Sequence, residues 1–531
     1  MAFKQNMHYG PSRGSVSGSL IAYLLRNTDV DSVKYDLNFS RFMNTERMSL
    51  ADVDTDIYAD DRYQVREYLF EKEGLSCCNI ITFNTIQLKG AIKDIGRAYG
   101  MSPTETQELS NLTQVDDNGN DYMPEDIRNK YPEMFKYIDM VIGTITSLGR
   151  HAAGIVCSPT DVGSDFGTLS ITSDPRPVSQ IDMHEIDSLN YVKLDLLGLN
   201  AVGLIDGACK LANIDFLTPD TVDFSDQKVI DSISKDTTLI FQFESGFASE
   251  ALKQTLSKET IANMKKNNEN VSYLDIMAMV NGAIRPSGES YREALFKGIY
   301  KDNGNDVLNK FLSPTLGYLV YQEQIIDFLH YFCDFTMGQA DIVRRHFAKK
   351  QKNKDGIPMT EIDAPIIENG GYMEDIKGNK DTRYIKGFVT IAQEKYGMSE
   401  ADAKSAISYF TEVIKDASFY IFSKNHAVPY SMIGFFIGWL RYYHKIELLT
   451  SALNVYSSNA SKIANIKSYI DSQGITINGA NLGNPKHFIL WIKKKIRYTK
   501  GLNQLHIVTV QLQMNFMSLK KGNSIHLLIC L

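Results

Sequence analysis

Residues 51–57 read Ala51-Asp52-Val53-Asp54-Thr55-Asp56-Ile57, three carboxylates alternating with small or branched side chains. Alternation is strand spacing. Side chains at i, i+2 and i+4 leave a strand on one face, so Asp52, Asp54 and Asp56 point the same way. Like charges packed that closely raise one another's energy unless a cation sits among them. Carboxylate oxygens are hard ligands, and Mg²⁺ commonly takes one or two of them together with substrate phosphates. Two such ions about 3.5–4 Å apart support in-line displacement at phosphorus. A solvated acidic loop or a calcium-type turn would use the same residue types, and this stretch alone does not choose among them.

Four other stretches carry residues of matching chemistry. Gly10-Pro11-Ser12-Arg13-Gly14-Ser15-Val16-Ser17-Gly18-Ser19 precedes an apolar helical run from Leu20 to Leu25. Small residues let a backbone approach a ligand closely, and exposed N–H groups at a helix start attract anions. Arg13 adds a charged fork suited to phosphate. No Gly-Lys-Ser/Thr follows, so this is not a Walker A loop, and a flexible Gly/Ser turn explains the stretch equally well. In the apolar strand Tyr191–Leu199, Lys193 and Asp195 sit two apart on one face. A buried aspartate is costly without a partner or a metal, so Asp195 is either a third ligand beside Asp54 and Asp56 or the partner of Lys193. Asp341–Lys350 places Arg344, Arg345 and Lys349 within about one and a half helical turns. Such a cationic face suits a triphosphate whose charge shifts as pyrophosphate leaves. In the helix Gln87–Tyr99, Lys89, Lys93 and Arg97 recur every fourth residue. That stripe could follow a phosphate backbone or be a solvated face.

The elements that must position these groups are mixed. After the acidic strand come a helix at Asp61–Glu73, a buried strand at Ile80–Phe83, and a polar, helix-rich segment over 103–147 with a loop at Asp116–Asn120. Strands follow at His151–Val156 and Tyr191–Leu199, and from about residue 200 the chain is mostly helical. The aromatic helix through Trp439, Tyr442 and Tyr443 reads as core. At 531 residues, with 43% hydrophobic and 22% charged residues, the chain has room for two to four domains of ordinary globular composition. There is no signal-peptide h-region and no apolar run long enough to span a bilayer, so no membrane role is expected. Six cysteines, two of them adjacent at Cys77 and Cys78, form neither a disulfide framework nor a zinc pattern, which fits a reducing, cytoplasmic setting. A net charge of −7 argues against a wholly basic nucleic-acid coat but leaves room for a basic groove.

Taken in order, GPSRGSVSGSLIAYLL, DVDTD, IITFNTIQLKGAIKDIGRAYG, HAAGIV, KLDLLGL, FQFES, YQEQI, ADIVRRHFAKK and FSKNHAVPYS resemble the bacterial DNA polymerase III alpha subunits, the C-family of replicative DNA polymerases. The similarity runs from about residue 9 to about residue 475. It implies an α+β fold with a polymerase-beta-like nucleotidyltransferase palm over 1–85 and 149–199, a thumb over 86–148 and helical fingers over 200–475. Matched residue by residue, Asp54, Asp56 and Asp195 are the catalytic aspartates holding two Mg²⁺ ions. Gly14 and Ser15, with Arg13 beside them, belong to the loop that cradles the incoming triphosphate. Lys193, Arg344, Arg345, Lys349 and His426 fall among the nucleotide-binding positions, and Lys89, Lys93 and Arg97 on the side facing DNA. The implied substrates are primer-template DNA and deoxynucleoside triphosphates, with a sliding clamp and other replisome subunits as partners. The setting is the cytoplasm of a bacterium or a phage-infected cell.

Several positions depart from the family pattern. Ala51 and Ile57 replace its proline and phenylalanine around the acidic motif, and Ser423 and Asn425 replace Asn and Ser around Lys424, where only fine contacts are expected to change. The chain starts almost on the phosphate loop. It is therefore expected to lack the family's histidine-rich N-terminal domain and the first part of the palm, which a second polypeptide would supply. No Asp or Glu follows Asp471, while Lys493, Lys494, Lys495, Arg497 and Lys500 make the tail over 476–531 basic. Out-of-frame translation of the continuing sequence accounts for that break better than a nucleic-acid arm. Two alternatives to a template-directed polymerase stand beside it: a non-catalytic DNA-binding or replisome fragment, and a template-independent nucleotidyltransferase on the same palm.

Overall fold

The computed structural model describes residues 7–46, 53–115, 121–171, 174–244, 246–417, 421–477, 488–494 and 508–512. Its secondary structure is mixed, 54% helix and 15% strand. The chain forms two compact units, Met1–Asp61 with Gly198–Leu531, and Arg62–Leu197. The smaller unit thus takes in all of 86–148 together with most of the strands that the family resemblance assigns to a palm.

In the smaller unit five strands lie side by side in the order Val192–Gly198, Ile145–Ser158, Ser76–Thr85, Asp174–Ser179, Thr168–Ile171. The run Cys77-Cys78-Asn79-Ile80-Ile81 is buried without alternation, as expected of a strand covered on both faces. Cys78, Ile80, Val156, Val162 and Ile186 form one small core. Register places Gly154 opposite Asp195 and Val156 opposite Lys193. A second core joins helices Leu88–Ala98, Pro103–Asn111 and Pro132–Val141, with Leu88, Ala91 and Ile92 facing Leu109, Phe135 and Ile138. Ser102 and Glu105 close a reciprocal cap on the middle helix, with Pro103 at its first position.

In the larger unit the acidic strand is Asp54–Ile57, and burial increases along it to Asp56 and Ile57. Gly10 N donates to Asp56 O at 2.9 Å and Leu199 N to Ile57 O at 2.7 Å. The next helix, Asn200–Ala212, presents Gly203 to the ring of Tyr58, and a Cβ there would stand 2.1 Å from the ring. The helix Lys424–Tyr443 is buried along most of its length in the main core. Arg441 within it is 1% exposed, its charge spread over the carbonyls of Thr238, Ser232 and Asp236. A second core stacks Phe328 against Phe410 and Phe388, at centroid distances of 4.1 and 5.6 Å.

The aromatic helix end corrects one expectation. Trp439 packs partly on the core, but Tyr442 and Tyr443 are 44% and 43% exposed, because the last turn emerges from it. The Tyr443 hydroxyl donates to Asp226 Oδ2 at 2.8 Å. Beyond residue 474, strands Ile475–Ile477, Phe488–Lys494 and Val508–Leu512 pair as a three-stranded sheet. Ala51, Asp52, the 116–120 loop, Lys495, Arg497, Lys500 and most of 505–531 lie outside the described residues. Among the described residues no helix is long and apolar enough to cross a membrane.

The Gly203 contact yields a test. Gly203→Ala is expected to destabilise the larger unit by about 1–3 kcal/mol, as overpacking does. Gly246→Ala, where an added Cβ meets nothing within 4 Å, is expected to leave the urea midpoint unchanged.

Candidate active site

The Gly/Ser loop is shaped by residues four hundred positions away. Arg13 is extended, and Gly14 to Gly18 make a short 3₁₀ turn whose first residue has φ +66°, a left-handed backbone that glycine adopts without strain. Ser17 Oγ donates to Gly14 O at 2.9 Å and also to Asn425 O. Asn425 is fully buried. Its Nδ2 donates to Ser15 O and Asn38 O at 3.3 and 2.9 Å, and its Oδ1 accepts from Asn38 N at 3.1 Å. Asn425 therefore does much more than adjust fine contacts: it ties the loop to the helix Lys424–Tyr443. Glu323 fixes the start of that helix, accepting from Ser423 Oγ at 2.5 Å, Lys424 N at 2.7 Å and Asn425 N at 3.3 Å. Nothing in the spacing of YQEQI announces this capping role.

His426 and Tyr430 follow one turn apart. Gly14 N donates to His426 Nδ1 at 3.1 Å. Burial, with Arg13 and Arg285 adding repulsion, pulls the His426 pKa down to about 4, so its ring is neutral and Nδ1 can accept. Asp56, only 2% exposed, receives Arg13 Nη1 at 2.9 Å on Oδ1 and the Tyr430 hydroxyl at 3.1 Å on Oδ2. Arg13 Nη1 also donates to the Tyr430 oxygen, and Arg13 Nε stands 3.9 Å from Asp54 Oδ2. Burial pushes the Asp56 carboxyl up, against the pull of Arg13 and Tyr430. Burial and the Asp56 charge hold the Tyr430 hydroxyl well above its ordinary value, so it remains a donor. Tyr430 was missed by spacing; it lies four residues after His426 in FSKNHAVPYS, one helical turn along the same face.

Within the same unit, Arg344 is buried on the helix Met337–Lys349. Its Nε donates to Asp341 Oδ1 at 2.9 Å and its Nη1 to Gln322 Oε1 at 3.2 Å. Burial lowers its pKa to about 10, partly offset by Asp341. Arg345 Nε takes the other Asp341 oxygen at 2.9 Å, while Lys349 is exposed. Gln322 also receives Arg41 Nε at 3.0 Å, adding a cation that no motif marked. Asp341 stands three and four residues before the two arginines, a visible pairing signal in ADIVRRHFAKK.

In the smaller unit Lys193 Nζ lies 3.2 Å from Asp195 Oδ2. Asp195 Oδ1 is buried and has no hydrogen-bond partner among the described residues. A Cβ on Gly154 would fill the space 3.1 Å from that oxygen. Lys89 pairs with Asp121 at 3.4 Å and Arg97 with Asp94, so the basic stripe over Lys89, Lys93 and Arg97 is in part a solvated, charge-paired face.

Among the described residues no three His, Cys, Asp or Glu side chains are gathered as a metal site. Asp54 and Asp56 belong to the larger unit and Asp195 to the smaller. The donors nevertheless suit Mg²⁺: all are carboxylates, hard ligands, and one buried Asp195 oxygen has no hydrogen-bond partner among the described residues.

Comparison with known proteins supplies a frame for this chemistry. Residues 1–198 match the family model of the bacterial DNA polymerase III alpha NTPase domain, and residues 289–364 that of the bacterial DNA polymerase III alpha subunit finger domain. DNA polymerase III subunit alpha of Campylobacter jejuni is 30% identical over 480 residues, covering 86% of the chain and 36% of the relative. The subunits of that name from Ureaplasma parvum and Bacillus subtilis are 28% and 29% identical. They cover 89% and 90% of the chain, and 46% and 40% of their own lengths. The chain thus spans less than half the length of each.

Two outcomes follow. Asn425→Ala should cost about 3 kcal/mol, since it breaks three hydrogen bonds and leaves buried groups unpaired, and should speed amide exchange at Ser15 and Asn38. For His426, the unfolded imidazole titrates near 6.5 and the folded one at about 4, so the unfolded chain takes up more protons between them. The stability from burying it neutral is complete above pH 6.5 and is lost as pH falls toward 4. Denaturant unfolding should show the wild-type advantage over His426→Gln shrinking by up to about 3 kcal/mol across that window. A flat difference would rule out the buried neutral ring.

Proposed function

The chain belongs to the bacterial DNA polymerase III alpha family, and from that premise we propose that it performs template-directed transfer of deoxynucleotides to a primer 3′-hydroxyl. The observation that carries this reading is the junction of Asp54, Asp56, Arg13 and the Gly14 amide at one place in the larger unit. It brings hard metal ligands beside a phosphate-binding backbone and a guanidinium fork.

In this proposal Asp54, Asp56 and Asp195 hold two Mg²⁺ ions on a polymerase-beta-like palm. When bound, the ions lower the pKa of the primer hydroxyl and neutralise charge on the triphosphate and the leaving pyrophosphate. The chain's own groups position the reactants. Gly14 and Ser15 line the phosphates with backbone, the Gly14 amide passing from His426 Nδ1 to a phosphate oxygen when the triphosphate binds, and Arg13 offers a bidentate fork. Lys193, Arg345 and Lys349 add positive charge where negative charge builds up. Arg344, sequestered by Asp341 and Gln322, orients Arg345 and Arg41 more than it faces solvent. His426, neutral, places the Gly14 amide. Lys89, Lys93 and Arg97 contact the primer-template backbone, with sequence set by base pairing rather than by side-chain readout. Primer-template DNA and deoxynucleoside triphosphates are the substrates, a sliding clamp and other replisome subunits the partners, and the cytoplasm the setting.

The test is primer extension on a primed template with Mg²⁺ and all four deoxynucleotides. Asp54→Asn and Asp195→Asn are each expected to lower the rate by about a hundredfold or more, with DNA affinity retained. Extension that survives both substitutions, or DNA binding with no extension by the wild-type chain, would sink the enzymatic reading.

A further inference from the structure

Arg13 contacts both carboxylates at once. Its Nη1 is 2.9 Å from Asp56 Oδ1 and its Nε 3.9 Å from Asp54 Oδ2. The second Asp56 oxygen is taken by the Tyr430 hydroxyl at 3.1 Å, so both oxygens of that buried group are committed. Each oxygen keeps a second lone pair, but a cation ligated there would lie beside one of these donors. Of the two, the guanidinium carries positive charge and would repel an incoming cation at close range, whereas the neutral tyrosine would not. The Gly14 amide is occupied as well, with His426 Nδ1 standing where a phosphate oxygen would accept.

We propose that Arg13 is the resident counter-ion of Asp54 and Asp56, that it must leave them before a divalent cation can be held there, and that a triphosphate is its new partner, with Tyr430 as the positioning residue that keeps Asp56 oriented through the exchange. The inference rests on the metal site proposed above. A guanidinium pairs with phosphate in the same forked geometry as with carboxylate, so the exchange replaces one ion pair by another. The carboxylates are never without a counter-charge, and Arg13 is never left beside a bound cation. Cation uptake and triphosphate binding therefore assist each other, and by linkage the assistance is mutual.

The exchange predicts a gain of binding, which a misfolded variant could not produce. Mn²⁺ is the probe, titrated without nucleotide and followed by the spin-resonance signal of the free ion. Arg13→Gln is expected to bind Mn²⁺ about tenfold or more tightly than wild type, and Asp54→Asn added to it should abolish the gain. Arg285→Gln is the field control: Arg285 bears on the same site through His426 but hydrogen-bonds to Gln242 and Asn281 rather than to either aspartate. Its effect should be much smaller. Equal or weaker binding by Arg13→Gln, or an equal gain in Arg285→Gln, would overturn the displacement. Tyr430→Phe removes only the hydroxyl and is expected to weaken Mn²⁺ binding about threefold, with a lowered thermal midpoint because one buried Asp56 oxygen loses its donor; unaltered affinity would strip Tyr430 of its role. Loss of wild-type Mn²⁺ binding in Asp54→Asn keeps the two readings apart, since it establishes the metal site even when Arg13→Gln fails. Binding indifferent to Asp54 removes the site and this proposal together.

Discussion

The larger unit is arranged around a charge that cannot be left alone. Asp56 is almost completely withdrawn from water, on a strand whose other carboxylate, Asp54, faces the same way. Burial of one ionised carboxylate is expensive, and its like-charged neighbour adds to the expense. Arg13 and Tyr430 each hold one oxygen of Asp56, which dictates where the Gly/Ser loop and the helix Lys424–Tyr443 must lie. The backbone follows the same demand: Gly10 N donates to the carbonyl of Asp56 and Leu199 N to that of Ile57.

Around that centre the polar groups form a connected chain. Asn425 ties the loop to Asn38, Glu323 caps the helix that carries Asn425, and the neighbouring Gln322 joins Arg41 to Arg344. A network of this kind is strong only when every member is satisfied. It is well suited to holding the groups around Asp56 still, because each rotamer is set by at least one neighbour rather than by solvent.

How much of this was legible in the sequence depended on whether the signal was local. The acidic strand, the glycine turn, the basic helix and the strand bearing Lys193 and Asp195 are all patterns of adjacent residues, and each forms at the expected place. The Lys193–Asp195 pair that two-residue spacing suggested is present, yet one Asp195 oxygen is still unpartnered, so the two alternatives are not exclusive. Tyr430, Asn425, Glu323 and Arg41 were not legible as site residues, because their roles depend on partners hundreds of residues distant. The burial of Arg344 was half legible: Asp341 is within one turn, but Gln322 is not. Tyr442 and Tyr443 were misjudged because aromatic content indicates an apolar helix without saying where that helix leaves the core.

The hydrogen bond from Gly14 to His426 joins residues 412 positions apart. During synthesis the loop emerges well before its last supports, His426 and Tyr430, which follow only after the intervening helices. Until then Asp56 has its Arg13 counter-ion but not its Tyr430 donor, and the Gly14 amide is without its His426 acceptor. Loop-closure entropy over so long a separation makes such contacts slow to form. The second helical core, from Leu308 to Ile421, has nearer partners and can consolidate earlier, whereas the main core is completed only by the helix Lys424–Tyr443. The site is therefore a late event in folding, and a ribosome that stalls before residue 430 would display a chain with its second helical core in place, an incomplete main core and no organised centre.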